Sequence, residues 1–180
     1  MLKNSLKKIF NAVGFQGVWW LCVLGALWGV QYLGPIVMLI FLLTHMLIMG
    51  KGKNEVLFLF LIAFIGTIVD SIKLATGFIS YMGGYETIKI LAPLWITAMW
   101  TGFASTINHS LGWVHDRYFI AVMLGVVFGP LSYMLGVKLE ALTFNYSLMV
   151  SAVILAIVWG TAIPLMYWLS NKLGLSSRNT

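Results

Sequence analysis

Apolar residues fill nearly the whole chain in runs of about 17 to 25, each long enough to cross a hydrocarbon core of about 30 Å as a helix. Hydropathy and the breakers between runs predict six spans, at about 12–33, 36–49, 56–76, 90–111, 118–137 and 147–169. The alternating pattern of membrane β-strands is absent from the sequence, and helices satisfy their own backbone hydrogen bonds in lipid. The sequence predicts an all-α, polytopic membrane protein, a bundle of about six transmembrane helices in one integral membrane domain, 1–180.

Composition supports this class. The chain is 61% hydrophobic and 9% charged, whereas roughly a quarter of the residues of a soluble domain are charged. The basic start MLKNSLKKIF precedes a run too long for the core of a signal peptide, so we interpret it as a retained first span. Cys22 stands alone, which excludes a disulfide framework and a thiolate metal cluster.

Lysine and arginine predict the orientation. With a cytoplasmic N-terminus, eight basic residues fall on the inner side: Lys3, Lys7, Lys8, Lys51, Lys53, Arg117, Lys172 and Arg178. Three fall on the outer side: Lys73, Lys89 and Lys138. The bias predicts that both termini are cytoplasmic. The net charge of +6 then indicates topology and attraction to anionic lipid, with the bilayer as partner and no nucleic acid.

Four polar residues are predicted to lie at a similar depth in the outer half of the membrane. Asp70 lies about 21 Å from the inner face, where a carboxylate costs about 2.5 to 3.5 kcal/mol and is a functional candidate. Thr97, Ser132 and Tyr133 share that depth, the last two just after a break expected at Pro130. An alternative is a structural ion pair between Asp70 and Lys73, one turn on.

The fourth span carries a polar stripe of Thr97, Thr101, Ser105 and Asn108, spaced by four, four and three residues. The stripe covers about 80° of one helix face, and such a face must meet protein or water. The fourth helix is therefore predicted to be central in the bundle. For Thr101 and Ser105 alone, packing between helices is a sufficient explanation.

A second polar cluster is predicted at the cytoplasmic end of this span. Its candidate residues are Asn108, His109, Ser110, His115, Asp116 and Arg117. His109 could act as an acid, a base or a proton relay, or could simply be satisfied by loop carbonyls at the helix end. His45, in the second span, is interpreted as a packed histidine bonded to a neighbour. The pattern assigns no catalytic residue, no metal and no cofactor, and a loop-assembled set of His109, His115 and Asp116 is the only metal arrangement it suggests.

The runs PLWITAMWTGFASTINHSLGW (93–113) and GPLSYMLG (129–136), with the pair Asp70-Ser71, resemble a family of small bacterial inner-membrane proteins known only as a domain of unknown function. The resemblance covers roughly 11–168. It implies a multi-pass protein of the bacterial inner (cytoplasmic) membrane that accompanies enzymes of fatty-acid or lipid modification. It supplies no activity and no residue roles.

The sequence leaves three function classes open. An accessory protein would act through a membrane protein partner. A lipid-handling protein or lipid-modifying enzyme would use the His109 cluster at headgroup level, with a lipid or small molecule as ligand. A small-solute or proton-coupled transporter would use Asp70, the polar stripe and a gate at Pro130.

Overall fold

A computed structural model describes residues 2–176 of the chain. Within these residues it is an all-α bundle apart from one short ribbon. The helices are α1 (Leu2–Leu27), α2 (Leu33–Met49), α3 (Lys53–Ala75), α4 (Leu94–Ile107), α5 (Tyr118–Lys138) and α6 (Leu148–Lys172). The predicted six-helix fold is confirmed. Arg178, which contributed to the predicted orientation, lies outside the described residues.

Four of the helices, α1, α3, α5 and α6, are long and apolar enough to cross a membrane. The chain is therefore a membrane protein. The other two are shorter: α2 has 17 residues and α4 has 14. The fourth span was predicted at 90–111, but α4 begins after Pro93, whose ring suits a helix start, and gives way to turns and a short 3₁₀ helix, Gly112–Val114.

The shortest helix is the centre of the bundle. α4 packs against α1, α2, α3 and α6, as its polar stripe predicted. Small residues allow the close approach: a Cβ on Gly66 of α3 would lie 2.2 Å from the Trp100 ring, and one on Gly102 of α4 would lie 2.3 Å from Met38. In membranes such contacts replace the hydrophobic effect as the force that holds helices together.

A two-stranded ribbon joins the two outer connections of the bundle. β1 (Ile79–Tyr81), which follows α3, pairs antiparallel with β2 (Leu142–Phe144), which follows α5. The side chains of Ile79 and Leu142, the first residue of each strand, are buried. The pairing crosses more than sixty residues of sequence between strands of three residues each, and so it satisfies backbone groups that neither connection could satisfy alone.

The opposite end of the bundle gathers the N-terminal part of α1, the α2–α3 connection and the end of α6. The Lys7 ammonium donates to the Ile48 carbonyl, and that of Lys51 donates to the Leu175 carbonyl, 2.8 Å away. Both termini of the described chain therefore lie on one side, which is consistent with the predicted topology. We call this the inner side, and the ribbon side the outer side.

The break predicted at Pro130 is absent. α5 is continuous from Tyr118 to Lys138, and Pro130 is buried within it. The hydroxyl of Ser132 donates to the Gly129 carbonyl at 2.7 Å. The carbonyl that Pro130 leaves without its helical N–H donor is that of Val126, and this loss does not interrupt the helix. No opening is present here to serve as a gate.

Candidate functional site

A buried charge cluster lies near the outer side, built around Asp70 of α3. The carboxylate is fully buried and pairs with the ammonium of Lys73, one turn further along α3. Tyr81 and Tyr133 donate to its Oδ1 at 2.5 and 2.8 Å, and Trp100 donates to its Oδ2 at 2.5 Å. We name these five residues the outer cluster.

The residues of the outer cluster bond one another. Lys73 is 6% exposed, donates to the Tyr133 hydroxyl at 2.6 Å and lies 4.3 Å from the centre of that ring. Burial first, then the neighbouring Tyr133 and Asp70, hold the pKa of the Tyr81 phenol well above its usual value, so this hydroxyl stays a donor to the carboxylate. Every charge in the cluster therefore has partners inside the protein.

Of the predicted outer residues, the structure brings only Asp70 and Tyr133 together. The Thr97 hydroxyl bonds that of Thr67 at 2.7 Å, and Ser132 bonds its own helix. Lys73 was predicted as a local partner of Asp70, whereas Tyr81 and Trp100 were not predicted. Trp100 lies on α4, three residues from Thr97, and its indole N–H was the available signal, since a buried indole needs an acceptor.

A second buried cluster lies at the inner side, around a residue that the sequence analysis did not single out. Glu55, in the first turn of α3, is fully buried. His45 Nε2 lies 3.2 Å and His109 Nε2 lies 2.7 Å from its Oε1. The Lys51 backbone N–H donates to its Oε2 at 2.6 Å. We name His45, Glu55 and His109 the inner triad.

Two helices and the turn after a third bring the inner triad together. His45 comes from the last turns of α2, Glu55 begins α3 after a short connection, and His109 follows the end of α4. The two imidazole rings meet edge to face with centroids 4.6 Å apart. Glu55 was not predicted as a site residue because it follows the polar run GKGKN, which is typical of a solvated loop.

Asn11 of α1 connects the inner triad to Ser110, in the loop that follows α4. It is fully buried, and its Nδ2 donates to the Ser105 carbonyl at 3.2 Å and faces His45 Nδ1 at 3.4 Å. Its Oδ1 accepts from the Ser110 hydroxyl at 2.6 Å. Ser110, a predicted site residue, is thus part of the support of the triad.

The remaining predicted inner residues lie beside the triad and bond elsewhere. His115 Nε2 and the Ser170 hydroxyl both meet Asn108 Oδ1, at 2.9 and 2.5 Å. Burial lowers the pKa of the His115 imidazole, against the opposing effect of Asp116. Asp116 and Arg117 are exposed on the loop. The predicted grouping of His109 with His115 and Asp116 around one metal is therefore not what the fold assembles.

An apolar groove of about 640 Å³ runs along the exposed face of α3. Its wall on α3 extends from Phe60 to Ala75, and its other wall comes from the connection before α4 and from α4 itself. Besides Tyr85, three lining residues carry hydroxyls, and each has a partner within the fold: Thr67 and Thr97 bond each other, and Ser71 accepts from the Ala92 N–H at 2.9 Å.

These features define a polytopic membrane protein with a sealed charge cluster near one side, a histidine–carboxylate triad near the other and an apolar groove along one helix. A family model described as "Protein of unknown function (DUF2878)" matches residues 8–165. The chain belongs to that family. No curated protein and no solved structure matches it significantly.

Proposed function

We propose that the protein is a lipid-handling membrane protein that holds an acyl chain of an outer-leaflet phospholipid in the groove along α3. The observation that carries this proposal is the groove itself. It is apolar, and exposed residues such as Phe64 and Ile72 line it on a helix long enough to span the membrane. Its volume of about 640 Å³ falls within the range of about 300 to 1,000 Å³ typical of ligand sites.

The chemistry of the lining favours an acyl chain over a polar solute. Aromatic and aliphatic side chains such as Phe60, Phe64 and Ile68 form the walls. The hydroxyls of Thr67, Thr97 and Ser71 are engaged with protein partners, so a polar solute would find few free groups to replace its hydration.

The dimensions of the groove suit a chain that enters from the outer side. Phe60 and Ala75 are fifteen residues apart on α3, about 22 Å along the axis, which exceeds one leaflet, about 15 Å of a 30 Å core. Beyond the outer end, Lys89 is exposed and directly precedes the lining residue Ile90. A cation at that position attracts a lipid phosphate.

The sealed outer cluster supports the lipid proposal over transport. A coupling carboxylate has to exchange its proton or ion with water during a cycle, whereas Asp70 is fully buried among four bonded partners. With no opening at Pro130, the features that a transporter would use are better explained as structural.

The test is native mass spectrometry of the full chain, delipidated in detergent and then given phosphatidylglycerol or phosphatidylethanolamine. Wild type should keep one phospholipid, and Ala63→Trp, which fills the half-buried floor of the groove, should reduce the bound fraction about tenfold. Ala12→Trp makes the same change on an exposed face of α1, away from the groove, and should bind as wild type. Equal retention by all three proteins would show that only annular lipid is present.

A second arm asks whether binding matters in the cell. Deletion of the gene in its native host should alter the phospholipid acyl profile, and wild type or Ala12→Trp should restore it. Ala63→Trp should fail to do so at equal expression. An unchanged profile in the deletion strain would contradict a role in lipid handling even if the groove binds lipid.

A further inference from the structure

The inner triad places two imidazole nitrogens and one carboxylate oxygen around a single point. The potential ligand atoms of His45, Glu55 and His109 all lie within 4.8 Å of one another, and the three residues are buried. They come from α2, α3 and the turn after α4, so no local sequence pattern positions them together. Burying an acid and two histidines in a membrane protein is costly, and such residues are functional candidates by default.

We propose that the inner triad binds a divalent transition-metal ion, of the class of Zn²⁺ or Fe²⁺. Imidazole nitrogen and carboxylate oxygen are the ligands that these ions accept, whereas Mg²⁺ and Ca²⁺ prefer oxygen alone. Three protein ligands leave a coordination position for water or another oxygen ligand, the arrangement of reactive rather than structural metal sites.

The geometry around Glu55 directs both imidazoles at a single carboxylate oxygen, the arrangement from which a metal could be ligated. Both Nε2 atoms point at the same oxygen, Oε1, at 3.2 and 2.7 Å, while Oε2 takes the Lys51 N–H. A tetrahedral ion with bonds of about 2.1 Å holds its ligand atoms about 3.4 Å apart. His45 Nε2 is already near that separation from Oε1, and His109 Nε2 has to move away by about 0.7 Å. A small outward movement of the side chains would therefore admit the ion.

Asn11 lies where a ligating His45 would have an outer partner. Metal-ligating histidines bond an outer group through their second ring nitrogen, which fixes the ring. Asn11 faces His45 Nδ1 at 3.4 Å and is itself held by Ser105 and Ser110. Metal binding through Nε2 leaves the proton on Nδ1, where the Asn11 amide N–H₂ cannot accept it. The long contact between Asn11 and His45 is therefore given up when an ion binds, while the bonds of Asn11 to Ser105 and Ser110 stay in place.

The α2–α3 connection covers the triad on the inner side. Lys51 bonds Glu55 through its backbone and the Leu175 carbonyl through its ammonium. Gly52 follows with a φ of 77°, which L side chains rarely adopt. This short connection, rather than the helices, is the element that has to move for an ion to enter.

The test uses the full chain in detergent, stripped with chelator and titrated with Co²⁺ as a coloured probe and with Zn²⁺ in competition. Wild type should bind one Co²⁺ per chain with visible absorption bands, and Zn²⁺ should displace it. Glu55→Gln and His109→Gln should each weaken binding about a hundredfold or more, since they remove a ligand where loss of an outer-shell group costs 10- to 100-fold. His115→Gln removes another buried inner histidine outside the triad and should bind as wild type.

A measurement on wild type alone guards against variants that fail to fold. Zn²⁺ in excess over its dissociation constant should raise the unfolding temperature, because it binds the folded chain and stabilises it. Absence of both a shift and stoichiometric Co²⁺ binding overturns the proposal. Equal loss of binding in His115→Gln and His109→Gln overturns the assignment of the ion to the triad.

Discussion

At the scale of single residues, Asp70 shows how a membrane interior accommodates a charge. Two tyrosines, an indole and an ammonium surround the carboxylate, so its full burial is balanced by short, charge-assisted bonds. Replacing both members of a buried pair is often tolerated, whereas removing one leaves the other uncompensated. The contribution of Asp70 is therefore a property of the pair with Lys73.

We predict that Asp70→Asn lowers the free energy of unfolding by about 3 kcal/mol, because Lys73 then stays buried without its counter-charge. Asp70→Asn combined with Lys73→Met should recover most of this loss. Glu140→Gln, a matched change at an exposed position, should have almost no effect. Reversible unfolding in detergent measures all four proteins. A double variant less stable than the single one would contradict a structural ion pair.

The residue scale also shows where sequence reasoning ends. Depth along a helix correctly suggested that Asp70 and Tyr133 could meet, yet the same argument included Thr97 and Ser132, which bond elsewhere. Depth fixes one coordinate and leaves the direction around the helix axis open. Glu55 was missed because its flanking lysines and glycines resemble a solvated loop, and burial there depends on helices distant in sequence.

At the scale of elements, hydropathy predicted each helix because apolar length is a local property. The ends of α1 and α4 were wrong. The first span was predicted at 12–33, whereas α1 is Leu2–Leu27, and turns and a 3₁₀ helix replaced the predicted last residues of α4. The ribbon of β1 and β2 was not predicted, because strands of three residues depend on a partner from another connection. The position of α4 at the centre was predictable, because a polar stripe cannot face lipid.

The interface between α5 and α6 gives a prediction at this scale. A Cβ on Gly125 would lie 2.1 Å from the Trp159 carbonyl oxygen, a backbone atom that cannot move alone. We expect Gly125→Ala to destabilise the protein by about 1 to 3 kcal/mol through separation of the two helices. Gly17→Ala, where a Cβ meets nothing within 4 Å, should be neutral or slightly stabilising. Thermal unfolding in detergent compares them, and equal stability of the two variants would contradict this packing.

At the scale of the whole molecule, the two polar clusters lie near opposite ends of one helix. Glu55 and Asp70 are fifteen residues apart on α3, about 22 Å, and α4 contributes Trp100 to one cluster while His109, just beyond it, completes the other. The sequence predicts two polar clusters at separate depths. It could not assign members to each, because that requires the packing of all six helices.

Orientation in the membrane remains a prediction that cysteine labelling can check. In a Cys22→Ala background, Thr87→Cys places a thiol at an exposed position between β1 and α4, and Lys53→Cys places one at the opposite end of the bundle. The positive-inside bias predicts that a membrane-impermeant maleimide labels Thr87→Cys in intact cells and Lys53→Cys only after lysis. The reverse pattern would invert the assigned sides.

The brevity of α4 has a consequence for the backbone at its two ends. Fourteen residues rise about 21 Å, well short of a hydrocarbon core of about 30 Å. Backbone without helical hydrogen bonds is tolerated at such depth only under the cover of neighbouring protein. Because α1, α2, α3 and α6 surround α4, they supply that cover, and the turns beyond a short central helix can carry polar groups that lipid never meets.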